Sequence, residues 1–185
     1  MAPKITFHNQ PKLSEHEADK TFNERRVVLA GQVKEFIAAH SRFEGADVSI
    51  TFAEKGISSL IAIIETPHEK LVLKIPLSLA YSEGEALFLK TWEEAGVKVP
   101  HVIEDGMLGG HSYALMEYID APLVMDAYTP EELSVKGIYR EMGRTLRHMH
   151  TPEAHGYGRV MDGKPKFAHF SEWLLSPTLR SEVYN

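Results

Sequence analysis

The chain has 185 residues, 43% of them hydrophobic and 25% charged, the make-up of an ordinary globular protein long enough to bury a sizeable core in one domain or two lobes. Its net charge of -6 lacks the Lys and Arg excess that marks nucleic-acid and membrane-surface binders, so neither partner is expected. With no cysteine there is no disulfide framework, thiol nucleophile or Cys-ligated zinc, and the cytoplasm is the default compartment.

The N-terminal stretch MAPKITFHNQPKLSEHEADK contains no apolar signal region, and the longest aliphatic run, Leu60 to Ile64, is too short to span a bilayer. Ser14 followed by Glu17 reads as a capping box. Ala18, Phe22, Leu29, Val33, Phe36 and Ile37 then recur at helical spacing, which predicts a long amphipathic helix broken near Gly31. From Asp47 the period changes to two. Val48, Ile50 and Phe52 alternate with polar residues, Leu60 to Ile64 is rich in β-formers, and Leu71 to Ile75 makes a third strand. Gly56-Ile57-Ser58-Ser59 and Thr66-Pro67-His68-Glu69 join them into an antiparallel meander.

A helix is predicted over 81–95, after which Pro100 marks an extended VKVPHVIED, and HSYALMEYI reads as a further strand following a turn at Gly109-Gly110. Thr129-Pro130-Glu131-Glu132 combines an N-cap, an N1 proline and a capping-box glutamate. The helix it starts is predicted to reach His150, with Val135, Ile138, Met142, Leu146 and Met149 on one stripe. GYGRVMDGKPKF reads as a hairpin turning at Asp162-Gly163, and FAHFSEWLLS as the start of a helix. The order predicts an α+β protein: a helical segment over 1–45, a mixed lobe over 46–120 and a partial helical lobe over 121–185.

The run EKLVLKIP carries an ammonium group in an otherwise buried strand. Desolvating a lysine costs several kcal/mol unless an anion meets it, so Lys74 is paired, displayed at an edge, or held ready for a charged ligand. Strand alternation puts Lys74 on the face of Val72, opposite Leu71, Leu73 and Ile75. On the following helix Glu85 shares a stripe with Phe88, Leu89 and Trp92 and so points inward, whereas Glu83 shares its own with Leu87, Lys90 and Glu94 and faces water. A glutamate facing a strand lysine fixes the ammonium and leaves its other donors free for phosphate oxygens; it can equally be a structural ion pair. The Gly56-Ile57-Ser58-Ser59 link lets backbone approach a ligand and offers hydroxyls to phosphate, though alone it is a hairpin turn.

The ordered set of Lys74, Glu85, VKVPHVIED, ALMEYIDAP and REMGRTLRHMHTPEAHGYG resembles the first half of the aminoglycoside phosphotransferase family, small-molecule kinases related to protein kinases, over about residues 45–175. The resemblance implies a protein-kinase-like N-lobe of antiparallel sheet plus helix, ending in a hinge, then the first helices of a truncated C-lobe. It implies ATP or GTP as donor, magnesium as cofactor, and a small hydroxyl-bearing acceptor. Residue by residue it implies that Ser58 contacts the nucleotide phosphates, Lys74 binds the α- and β-phosphates and Glu85 holds Lys74. Val72 would roof the adenine, with the Glu117 carbonyl and the Ile119 amide meeting its edge from the hinge Met116 to Ile119.

The family's catalytic His-Gly-Asp-x-x-x-x-Asn loop and its later Asp motif do not occur. After the hinge the aspartates are Asp120, Asp126 and Asp162, and His155-Gly156-Tyr157-Gly158 has tyrosine where the catalytic acid belongs. The expectation is a nucleotide-binding front half that does not turn over by itself, with no catalytic or metal residue of its own and with second-lobe apolar stripes that favour self-association. The alternatives are a kinase-like binding or regulatory module without transfer chemistry, and an unrelated α+β domain with a structural Lys74–Glu85 pair. His148 and His150, two apart on a helix, diverge too far to share a metal, and His150 is expected to end the helix. Trp92 and Trp173 are expected in the core.

Overall fold

A computed structural model of the chain describes all residues except 17–18, 57, 79–83, 154, 162–163 and 177–185. The architecture is mixed α+β, as the element order predicts. The chain divides into two compact units, Met1–Ala86 with Pro100–Tyr118, and Leu87–Val99 with Ile119–Asn185.

The first unit is a six-stranded sheet in the order β1-β2-β3-β4-β6-β5, built from β1 (Lys4–Phe7), β2 (Asp47–Phe52), β3 (Ser59–Glu65), β4 (Lys70–Pro76), β5 (Val102–Leu108) and β6 (His111–Glu117), with α1 (Lys20–Ala39) packed on one face. The meander from β2 to β4 is antiparallel, as the period-two pattern predicts. Alternate strand residues turn Val48, Ile50, Leu60, Ile64, Leu71 and Leu73 to one side, where Leu29, Val33 and Ile37 of α1 and Phe43 of the 3₁₀ turn after it close the core.

In β1 and α1 the first unit differs from the sequence expectation. First, β1 joins the sheet parallel to β2, with Ile5 opposite Val48 and Phe7 opposite Ile50. Its alternation of Ile5 and Phe7 lasts only four residues, too short to stand out in the sequence. Second, α1 starts at Lys20 and runs unbroken through Gly31, where an added Cβ would meet only open space. Ser14 is not its cap. The Ser14 hydroxyl donates to Asp19 (2.6 Å) and its amide donates to the Asn23 side chain (3.0 Å), tying the approach segment to the first turn; Glu17 and Ala18 lie outside the described residues.

The C-terminal end of α1 is fastened to β5 and β6 by a small polar cluster. Glu104 accepts from the Tyr113 hydroxyl and from the His40 ring (2.9 Å), and both interactions hold its carboxyl below the usual carboxylate range, the tyrosine contributing most. The same burial and the facing carboxylate push the Tyr113 hydroxyl up. Because the folded-state value of Glu104 lies below its unfolded value, its contribution is complete above the ordinary carboxylate pKa and is lost as pH falls through that value to the depressed one. Tyr113→Phe is therefore expected to flatten the acid side of the stability profile, read as urea midpoints between neutral and acid pH. An unchanged acid slope would contradict this account.

Helix α2 (Glu85–Glu94) begins in the first unit and continues into the second. It starts later than the predicted 81–95, and the residues before it, Glu83 included, lie outside the description. The second unit continues with α3 (Val124–Ala127), α4 (Pro130–Val135), α5 (Ile138–Met149), the hairpin β7 (Tyr157–Met161) with β8 (Lys164–Phe167), and α6 (Phe170–Leu174). Its predicted turn at Asp162-Gly163 is likewise outside the described residues.

Thr129 caps α4 through the anticipated box, its hydroxyl accepting from the Glu132 amide while the Glu132 carboxylate accepts from the Thr129 amide (2.9 Å). The single helix expected from there to His150 is instead two, because Gly137 adopts a left-handed φ of 69° that ends α4 and restarts the chain. Val135 thereby falls off the common stripe and stands 87% exposed. His150 does end α5, its amide reaching the carbonyls of Leu146 and Arg147. Neither tryptophan is a core residue. Trp92 and Trp173 are half-buried, Trp92 stacking on Phe88 and donating its indole N–H to the Met149 carbonyl (2.9 Å), Trp173 tilted against Phe170. No described helix is long and apolar enough to cross a membrane.

Candidate functional site

On β4 Leu71, Leu73 and Ile75 are buried on one face, while Val72 and Lys74 take the other in partial exposure, the alternation the sequence requires, and Pro76 is buried at the strand's end. Register places Lys74 between Ile61 of β3 and Ala114 of β6, and Val72 between Ile63 and Met116. The ammonium therefore rises from an apolar row.

Glu85, the first residue of α2, meets it. The Lys74 ammonium donates to Glu85 Oε1, and the two side chains are 30% and 29% exposed. That burial is enough to lift the attraction above that of a fully solvated surface pair, and shallow enough that the ammonium stays open to a ligand. A lysine has three donors, and Glu85 occupies one.

Ser58 is exposed just before β3, and its carbonyl accepts from the Leu77 amide (2.8 Å). Gly56 two residues earlier has φ 101°, a conformation that L side chains rarely adopt, while Ile57 is outside the described residues. At the other end of the strand pair, Glu117 closes β6 opposite Leu71, its side chain exposed and its amide donating to the His101 carbonyl (3.0 Å). Ile119 is 52% exposed, and its carbonyl accepts from Ala121 (3.0 Å). Lys74 and Glu85 are thus brought together, Val72 shares their face, and Ser58 and Glu117 flank them at opposite ends of β4.

Sequence reasoning passed over the groups that hold this frame. Arg26 of α1 is buried, and its guanidinium donates to the Lys12 carbonyl (2.7 Å) and to the Gly56 carbonyl (3.3 Å). Desolvation pulls its pKa down from the ordinary arginine value, opposed by the charge of Asp19. Its neighbour Arg25 donates to the Leu77 carbonyl (2.8 Å), and the buried His111 ring donates from Nδ1 to the Pro76 carbonyl (2.9 Å). Asn9 uses its side-chain amide as a peptide would, donating to the Phe52 carbonyl (2.9 Å) and accepting from the Phe52 amide (2.7 Å). The signal was present: Arg26 sits on the apolar stripe of α1 with Phe22, Leu29 and Val33, the same anomaly in a helix that Lys74 is in a strand.

The family model of the phosphotransferase enzyme family matches residues 49–175. The chain belongs to this family. No curated protein matches it. Among solved structures, a crystal structure described as a putative aminoglycoside phosphotransferase from Ralstonia eutropha JMP134 is similar at 20% identity, with a TM-score of 0.44, over 67% of this chain and 38% of that one. This phosphotransferase-family chain thus spans 38% of the length of that solved relative.

Members of the family are expected to use magnesium with their nucleotide. Among the described residues no group of three or more His, Asp or Glu side chains converges to hold a metal ion, and the carboxylate beside Lys74 is already engaged by the ammonium. The described residues thus build no protein-only cage for the ion.

Proposed function

We propose that the first unit is the nucleotide-donor site of a small-molecule phosphotransferase that passes the terminal phosphoryl group of ATP or GTP to an acceptor hydroxyl. The observation that carries this reading is the Lys74–Glu85 pair, a half-shielded ammonium fixed by one carboxylate and raised from an apolar sheet face, in a chain of the phosphotransferase family. In this reading Glu85 orients Lys74, and the free donors of Lys74 bind the α- and β-phosphates. Ser58 contacts the phosphates from the β2–β3 loop, and Val72 covers the adenine. The Glu117 carbonyl takes the adenine edge through a main-chain bond.

The order of these groups supports the assignment. Along β4 they run Glu117 beside Leu71, then Val72, then Lys74, then Ser58 beside Leu77, so base-facing groups lie at one end and phosphate-facing groups at the other. A nucleotide laid along the strand meets each in turn. Asp120, Asp126 and Asp162 lack the family's catalytic-loop setting, so in this reading the chain binds the donor and does not transfer from it.

Calorimetric titration of ATP, GTP and adenosine into the full chain tests the reading. Saturable binding of a nucleoside triphosphate, tighter than adenosine, is the expected result. Heats no larger than those of dilution for both triphosphates would remove it.

A further inference from the structure

The β2–β3 loop is tied to α1 from both of its sides. On one side the Gly56 carbonyl accepts from Arg26; on the other the Ser58 carbonyl accepts from the Leu77 amide, and the Leu77 carbonyl in turn accepts from Arg25. Two consecutive arginines of one helix therefore contact the Gly56 end of the loop and the exit of β4. Arg26 also reaches the Lys12 carbonyl, so the segment running from β1 into α1 is gathered into the same knot. All these residues belong to the first unit, and α1 with both arginines lies outside the 49–175 span that matches the family.

Burying a guanidinium is expensive unless its donors are met. It donates to main-chain carbonyls from two separate segments, the bonding pattern of a group that sets backbone conformation. A loop that receives an anion must aim N–H groups at it and turn carbonyl oxygens, which repel phosphate, elsewhere. A loop left free to reorient must be ordered by the ligand, at a cost in affinity. The planar fork of arginine, permanently charged, can hold carbonyls from two directions at once, which a lysine cannot do as well.

We propose that Arg26, supported by Arg25, is a positioning residue for nucleotide binding: it pulls the Gly56 carbonyl back against α1 and holds the β2–β3 loop in the form that accepts a triphosphate. This rests on the nucleotide reading above. The class of ligand it serves is the polyphosphate portion of a nucleotide and not the base, since the loop stands at the Ser58 end of β4, away from Glu117.

The test titrates ATP in magnesium buffer and adenosine into the full-length wild type, Arg26→Ala and Arg26→Lys, and follows amide hydrogen exchange over 53–59 in each unliganded protein. Arg26→Ala is expected to weaken ATP by about tenfold, the loss of one charge-assisted bond expressed as a smaller competent fraction, with adenosine affinity unchanged. Exchange over 53–59 should quicken while β4 amides stay protected, and Arg26→Lys should recover part of both effects. Equal losses for ATP and adenosine, or an unchanged ATP affinity in a folded Arg26→Ala, would overturn the proposal. Should Arg26→Ala not fold, Arg26→Lys decides, and wild-type ATP affinity together with wild-type exchange over 53–59 overturns it. A wild type that binds neither ligand defeats the nucleotide reading itself, and the positioning role with it; a wild type that binds ATP beside a variant that binds it equally well defeats only the positioning role.

Discussion

Lys74→Ala is expected to abolish the thermal stabilisation that ATP gives the wild-type chain. A ligand present at 100 times its dissociation constant adds about 2.7 kcal/mol to the folded state, which in a protein of this size raises the melting temperature by roughly 5–10 °C. The substitution removes the group assigned to the α- and β-phosphates and leaves the sheet intact. Lys74 is 30% exposed on the face away from the core, and the carboxylate it abandons is 29% exposed and can be rehydrated, so the unliganded melting temperature should move little. Glu85→Gln should fall between the two proteins, since an amide oxygen still accepts from the ammonium but no longer opposes its charge. An ATP shift in Lys74→Ala equal to that of the wild type would remove Lys74 from the site.

The neighbouring residue on the same strand should behave in the opposite way. Leu73 points to the other face, is fully buried and packs in the cluster that includes Leu29, Val33 and Ile37 of α1. Leu73→Ala removes buried methyl groups from a position where central strands on both sides limit collapse into the space. The expected cost is roughly 2–5 kcal/mol of unfolding free energy by urea denaturation. That is a large fraction of the stability of a typical domain. Where the variant remains folded it should bind ATP as the wild type does. A loss below 1 kcal/mol would mean that the face assignment of β4 is wrong, and with it the argument that sets Lys74 apart. Together the two variants separate what the strand's alternation joins, stability on one side and ligand chemistry on the other.

The Lys74–Glu85 pair was legible because two independent periodicities converge on it. The strand's period of two isolates Lys74 with Val72, and the helical spacing of Phe88, Leu89 and Trp92 selects Glu85 over Glu83, although that stripe is not buried as expected: Phe88 is 42% exposed and Ala86 is the buried residue of α2. The β2–β4 meander was legible for the same reason, as was the cap at Thr129. What the sequence concealed had other causes. Strand β1 has four residues and acquires its meaning only from pairing with β2, 43 residues away in the chain. Gly137 looks tolerable inside a helical pattern; its left-handed conformation is a property of the folded chain and splits an apolar stripe that the spacing alone makes continuous. Trp92 and Trp173, expected in the core, are each amphipathic, and Trp92 uses its indole N–H on a carbonyl at partial exposure. Arg26 was readable in principle as a charge on a buried stripe. Its partners are carbonyls of Lys12 and Gly56, which no side-chain pattern announces.

The parallel pairing of β1 and the burial of α1 also bear on where this protein can be divided. A fragment cut to residues 49–175 would begin inside β2, which starts at Asp47, and would discard the side chains of Leu29, Val33, Ile37 and Phe43 that cover the sheet. The smallest autonomous piece carrying Lys74 is therefore larger than the stretch by which its kinship is recognised, and the extra residues supply the lid of its hydrophobic interior.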